Sequence, residues 1–110
     1  MKNVVWNDKA KDFLRGLNPE LKKEFGSLIL LLQLGRVLSP PLSKALKIVH
    51  KSAFELRVKD SSGQYRIIYV LVQKDQILIP HGFKKKTQKT PQKEITVAQK
   101  RLKELINETK

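Results

Sequence analysis

Residues 54–59 alternate apolar and charged without a break, Phe54-Glu55-Leu56-Arg57-Val58-Lys59, and that period specifies a strand with one face on a core and the other face open. Asp60-Ser61-Ser62-Gly63 then supplies a turn. The next run, Gln64 to Val72, is apolar through Tyr65 and Ile67 to Val72 and carries a single charge, Arg66. Such a run fits a central strand, where a stray cation needs something to hold it. Lys74-Asp75 turns the chain again, and Gln76-Ile77-Leu78-Ile79 continues the meander as far as Pro80-His81.

Helical periodicity flanks this meander on both sides. Val4-Val5-Trp6 reads as a short strand, and Asn7 or Asp8 can cap a helix whose apolar residues are Ala10, Phe13, Leu14 and Leu17. Asn18-Pro19 restarts the chain as a cap followed by a first-turn proline. The second helix carries Leu21, Phe25, Leu28, Ile29 and Leu32 and should end near Gly35. Ser39-Pro40-Pro41 breaks regularity, so residues 38–51 read as irregular or as a poor edge strand. A last helix is expected from a Thr90-Pro91 cap, with an apolar stripe of Ile95, Ala98, Leu102, Leu105 and Ile106. The order is β-α-α-β-β-β-α: an α+β fold of one domain over residues 1–110, with an antiparallel sheet, an N-terminal helical hairpin and a C-terminal helix.

The chain has no cysteine, which removes disulfides and thiolate metal sites. Its acids are scattered and its two histidines, His50 and His81, lie apart, so no carboxylate or imidazole set has metal-ligand spacing and no metal or other cofactor is expected. Gly-rich phosphate loops are absent. No signal peptide is visible at the N-terminus, and the longest apolar run, Leu28 to Leu32, is far short of the roughly 20 residues that span a bilayer, so a cytoplasmic protein without membrane association is expected.

Charge carries the functional signal. Lys and Arg number 23 against 10 Asp and Glu, a formal net charge of +13. The densest block is His81-Gly82-Phe83-Lys84-Lys85-Lys86-Thr87-Gln88-Lys89-Thr90-Pro91, at the junction between the last strand and the last helix. Cations gathered this way repel one another, whereas a polyanion neutralises them and releases counterions. Glu55, Arg57 and Lys59 share one strand face, and Arg66 can join them from the neighbouring strand. RNA can be cleaved on such a surface without metal: a base removes the 2′-hydroxyl proton, the 2′-oxygen attacks phosphorus, and arginine stabilises the developing charge. Lysine crowded by cations loses affinity for its proton and can enter that chemistry.

Each of these residues also has a plainer reading. Arg66 can be a structural ion-pair partner of Glu55, His81 a packing histidine, and the lysine run a solvated face. Tyr65, Tyr69 and Trp6 read as core. Phe83, Thr87 and Gln88, interleaved with the lysines, offer RNA an aromatic face and hydrogen-bonding groups. The alternative to an enzyme is a non-catalytic RNA- or DNA-binding module.

Phe54-Glu55-Leu56-Arg57, Gly63-Gln64-Tyr65-Arg66-Ile67-Ile68-Tyr69, the 81–91 block and the Ala98-x-x-Arg101 helix together resemble the RelE/HigB toxin superfamily, in its phage-derived host-inhibition branch. The resemblance implies a type II toxin: an mRNA endonuclease that works in the ribosomal A site and is silenced by an antitoxin, commonly one with a helix-turn-helix domain. It places Arg66 as the phosphate-stabilising arginine and Arg57 as a basic position on the preceding strand. Lys84, Lys85 or Lys86 takes the place of the basic residues after the last strand. Glu55 stands where some members have lysine, and the late tyrosine or histidine of others is missing, so Glu55, His81 and the lysines are the candidates for proton transfer. Expected catalytic residues are therefore Arg66, Arg57, Lys85, Lys86, His81 and Glu55, with Lys59, Phe83, Lys84, Thr87, Gln88 and Lys89 binding RNA.

Overall fold

A computed structural model describes residues 1–73, 75–85 and 89–109. Among them the chain forms β1 (Asn3–Trp6), α1 (Asp8–Arg15), α2 (Pro19–Gln33), β2 (Ser43–Ala45), β3 (Ala53–Asp60), β4 (Gly63–Val72), β5 (Gln76–Lys85) and α3 (Gln92–Glu108). One five-stranded sheet has the order β1-β5-β4-β3-β2. β2, β3, β4 and β5 pair antiparallel, while β1 runs parallel to β5.

This corrects the expected order and the expected antiparallel sheet in two places. The helical hairpin carries the chain from one sheet edge to the other, so β1 borders β5 and cannot hairpin with it. The second change is β2, three residues in the segment read as irregular. Ser43-Lys44-Ala45 has no β pattern of its own; pairing with Leu56, Glu55 and Phe54 makes it a strand. β5 also runs past Pro80, where the sequence suggested it would stop. Ile79 and Pro80 together oppose Tyr69, a bulge that absorbs the proline's missing N–H, and pairing resumes at His81 with Ile68.

The helix ends follow their local chemistry. Asn7 Oδ1 accepts from the N–H of Lys9 and of Ala10, and Asn18 Oδ1 from that of Leu21 at 2.9 Å. α2 closes in a Schellman motif at Gly35, φ +87°, with Arg36 N–H donating to Leu31 C=O and Gly35 N–H to Leu32 C=O. The start of α3 differs from expectation: Pro91 holds the cap position without a side-chain bond, because the Thr90 hydroxyl is directed elsewhere.

Two cores form, one on each side of the sheet. Phe25, Ile29 and Leu32 of α2 and Ala10 of α1 pack against Leu56, Val58, Tyr65, Ile67, Tyr69, Ile77 and Ile79. Trp6 joins this core, and the Tyr69 hydroxyl is satisfied by Ser43 Oγ at 2.7 Å. On the other side Ala98, Leu102 and Leu105 of α3 cover Ala53, Ile68, Val70, Leu78 and Phe83. α1 lies close to β5 because Gly82 has no side chain: a Cβ there would overlap the Phe13 ring. The charged residues of β3 and β4 lie on this same α3 side, toward β2, with Glu55 and Arg66 buried and Arg57 partly exposed.

Candidate nucleic-acid interface

Strand register gathers the cations. Arg57 stands opposite Arg66, Arg66 opposite Phe83, Gln64 opposite Lys85, and Lys44 of β2 opposite Glu55. Directly opposed residues share a face, so these side chains all leave the sheet on the α3 side. Two arginines opposite each other repel, and the carboxylate two residues along the same strand offsets part of that. Glu55, only 2% exposed, has Oε1 at 3.3 Å from both Arg57 Nε and Arg66 Nε. Its Oε2 accepts from Thr90 Oγ1 at 2.7 Å. The threonine that sequence assigns to capping α3 fixes the carboxylate instead.

The two arginines are held differently. Arg66 is buried, its Nη1 donating to the Tyr65 carbonyl and its Nη2 to Gln64 Oε1. Its Nε is in ion-pair range of Glu55 without hydrogen-bond alignment. Burial and the neighbouring Arg57 depress its pKa, against the pull of Glu55. Among the described residues Arg57 is bound through Nε alone; its side chain is 22% exposed and lines two grooves. Lys85 is 3% exposed. Burial, and then Arg66, Arg57 and Lys44, lower its pKa, with Glu55 opposing.

Two grooves meet at Arg57. One, about 360 Å³, is lined by Glu24, Pro41, Lys59, Gln64 and Arg66 with it; the other, about 240 Å³, by Lys44, Ile48, Glu55, Lys89 and Thr90. A larger groove of about 440 Å³ lies elsewhere, between the start of α1 and α3. Its lining sets Asp8, Glu104 and Glu108 against Lys9, Lys100 and Arg101, so it has no cationic surplus.

The structure therefore puts Glu55, Arg57, Arg66, Lys85 and Lys59 on one face of the sheet, with Lys89 beside Glu55 and Arg57 in a groove, while Glu55, Arg66 and Lys85 are themselves buried. It separates others. Phe83, expected to offer its ring to RNA, is buried with Ile68 and Ala98, because Phe83 faces α3 across the sheet. His81 lies beneath α3 and stacks on Phe83 with centroids 5.3 Å apart. Its Nε2 is 2.9 Å from Glu94 Oε1 and its Nδ1 2.9 Å from Arg101 Nη1. A guanidinium only donates, so Nδ1 accepts and the proton of the neutral ring sits on Nε2, toward Glu94. Burial lowers this histidine's pKa; like Lys85 it lines neither groove at Arg57, and it is engaged instead by Glu94 and Arg101 of α3. Lys84 pairs with Tyr65 and crosses to the opposite face, its ammonium 5.5 Å from that ring's centroid. Lys86, Thr87 and Gln88 lie outside the described residues.

Sequence reasoning missed Lys44, Thr90 and Gln64 as members of the site. Gln64 was detectable as the residue two before Arg66 on the same strand face, whereas Lys44 depends on the unforeseen β2 pairing. Among the described residues no group of three His, Asp or Glu is placed to hold a metal ion. No helix among them is long and apolar enough to cross a membrane.

A sequence model for phage-derived Gp49-like proteins (DUF891) matches residues 12–103. The chain belongs to that family. The Gp49-like family is part of the RelE/HigB-like toxin superfamily and is related to toxin endoribonucleases, and membership implies an antitoxin partner in general. No curated protein matches the chain closely enough to add a relative. The matched span holds both arginines, Glu55, Lys85 and most of α3, so the family assignment covers the whole cationic surface.

Proposed function

We propose that this Gp49-like protein is a HigB-type toxin that cleaves messenger RNA in the ribosomal A site. In this reading the Arg57 fork holds the scissile phosphate, and Arg66, fixed by Glu55, adds positive charge behind it. Lys85, whose affinity for protons is lowered, removes the 2′-hydroxyl proton. The 2′-oxygen bonds to phosphorus, the bond to the 5′-oxygen breaks, and that oxygen takes up a proton, leaving a 2′,3′-cyclic phosphate and a 5′-hydroxyl. Lys59 and Lys89 position the flanking backbone. An antitoxin with a helix-turn-helix domain silences the protein in the cytoplasm, and its acidic segment is steered by the +13 charge.

The observation that carries this reading is a surplus of cations around a single buried carboxylate, at the meeting of two open grooves. A second reading, a nucleic-acid-binding module without catalysis, is favoured by the engagement of all three Arg66 nitrogens with protein groups. Purified protein incubated with programmed ribosomes and with naked message separates the two. Cleavage that leaves cyclic phosphate ends supports the enzyme. RNA binding with intact message under both conditions supports the module, and loss of both binding and cleavage overturns the nucleic-acid assignment.

A further inference from the structure

We propose that the groove on the β2 side of Arg57 is a nucleobase subsite, with Leu46, Ile48 and Ile95 as its floor and Lys44 and Lys89 on its rim. The inference rests on the reading of this protein as an RNA-binding toxin and adds what lies beside the phosphate. The groove brings two chemistries into one concavity of about 240 Å³: aliphatic side chains, and the cationic groups of Lys44, Arg57 and Lys89 that outnumber the Glu55 carboxylate. A nucleotide has the same division, a flat apolar ring joined to an anionic linkage. A segment of protein has no fixed anion next to each apolar group. A second copy of this chain, itself at +13, is repelled.

The floor is held open by the protein. The turn after β2 is tied by Leu46 N–H to the Ala53 carbonyl at 2.9 Å and by Val49 N–H to the Leu46 carbonyl at 3.0 Å. Gln99 of α3 donates Nε2 to the Ile48 carbonyl at 2.8 Å. Leu46 and Val49 anchor the turn in the core formed by Ile68, Phe83 and Ala98. Ile48 is left 58% exposed on a backbone fixed at both ends, so a base covers it without ordering a loop. Because Arg57 and Glu55 line the same groove, a base seated there belongs to a nucleotide next to the phosphate on the Arg57 fork.

Fluorescence anisotropy with two non-cleavable probes tests this: a short 2′-deoxy single-stranded oligonucleotide, and the same sugar-phosphate chain without bases. Wild type is expected to bind the base-bearing probe at least about tenfold more tightly. Ile48→Ser should weaken that binding by about fivefold and leave the abasic probe unchanged, while Ile48→Phe should hold or tighten it. Lys44→Ala should weaken both probes and reduce the salt slope of binding by about one. Since Ile48 is exposed, all variants are expected to keep the wild-type melting curve. Equal wild-type affinity for the two probes, or an Ile48→Ser effect identical on both, overturns the subsite. A protein that binds in this base-dependent way yet never cleaves RNA retains the subsite and loses the enzymatic reading. One that cleaves RNA while its binding ignores Ile48 does the reverse.

Discussion

Replacing the two arginines one at a time separates the catalytic from the structural part of the site. Glu55 is buried, and two of its charged neighbours are Arg57 and Arg66, each with Nε 3.3 Å from Oε1. Arg66 is itself buried and gives its other nitrogens to Gln64 and to the Tyr65 carbonyl. Removing it strips a desolvated carboxylate of a desolvated partner, a change that costs roughly 3 kcal/mol or more. In a chain of this length that lowers the melting temperature by on the order of 10–15 °C. Arg57 is one-fifth exposed and bound at a single nitrogen, so Arg57→Ala should cost about 1 kcal/mol. The kinetic order is expected to be the reverse of the stability order. Arg57 lines both grooves where Arg66 lines one, and its loss should slow single-turnover cleavage by at least about a hundredfold, as removal of a transition-state donor does. Arg66→Ala, assayed well below its melting transition, should lose less. Thermal melts by circular dichroism and single-turnover cleavage of a ribosome-bound message read the two effects independently. A folded Arg57→Ala protein with wild-type rate would refute the argument, as would an Arg66→Ala protein with unchanged stability.

Other outcomes follow from the same geometry. Lys85 has a lower pKa folded than unfolded, so the unfolded chain binds the extra proton and this residue's effect on stability improves as pH rises toward 10.5. The stability difference between wild type and Lys85→Met, from urea melts, should therefore shift toward wild type with rising pH, and a flat difference would contradict the assignment. His81 is also held neutral, so stability should fall as pH drops through and below about 6.5, and His81→Gln should flatten that loss. Because Nδ1 faces the Arg101 guanidinium, protonation there sets two cations against each other. Gly82→Ala forces the Phe13 ring aside and is expected to cost about 1–3 kcal/mol in chemical denaturation.

Much of this fold is legible in the sequence because the chain obeys local rules over most of its length. Asn7, Asn18-Pro19 and Gly35 mark helix boundaries that backbone hydrogen bonds then realise. The 54–59 alternation gives β3 with the correct faces, so Glu55, Arg57 and Lys59 fall on one side. The misses are pairings that depend on distant partners. Ser43-Lys44-Ala45 has no period to detect, and Pro80 reads as a strand end unless its own strand can bulge there. The candidate site was legible in the sequence as a cluster of residue types, and its geometry was not. Phe83 looked available because it sits among lysines; β5 continues past Pro80 and turns the ring under α3. Lys84 and Lys85 are adjacent in sequence and on opposite faces in space, which a run of cations cannot reveal.

Three local rules are broken within reach of Glu55. Arg57 and Arg66 are directly opposed like charges, an arrangement that destabilises a sheet. Arg66 buries a cation with one nitrogen lacking an aligned acceptor. Thr90 bonds to a carboxylate while the helix it precedes starts without a side-chain cap, although a good cap contributes about 1 kcal/mol. All three departures involve Glu55 or the residues it touches. Their convergence on one carboxylate, at the meeting of two grooves, is the pattern expected where stability is exchanged for binding, as the proposed function requires. An anion seated on the Arg57 fork is such a reason: it offsets the Arg57–Arg66 repulsion that Glu55 alone leaves partly uncompensated.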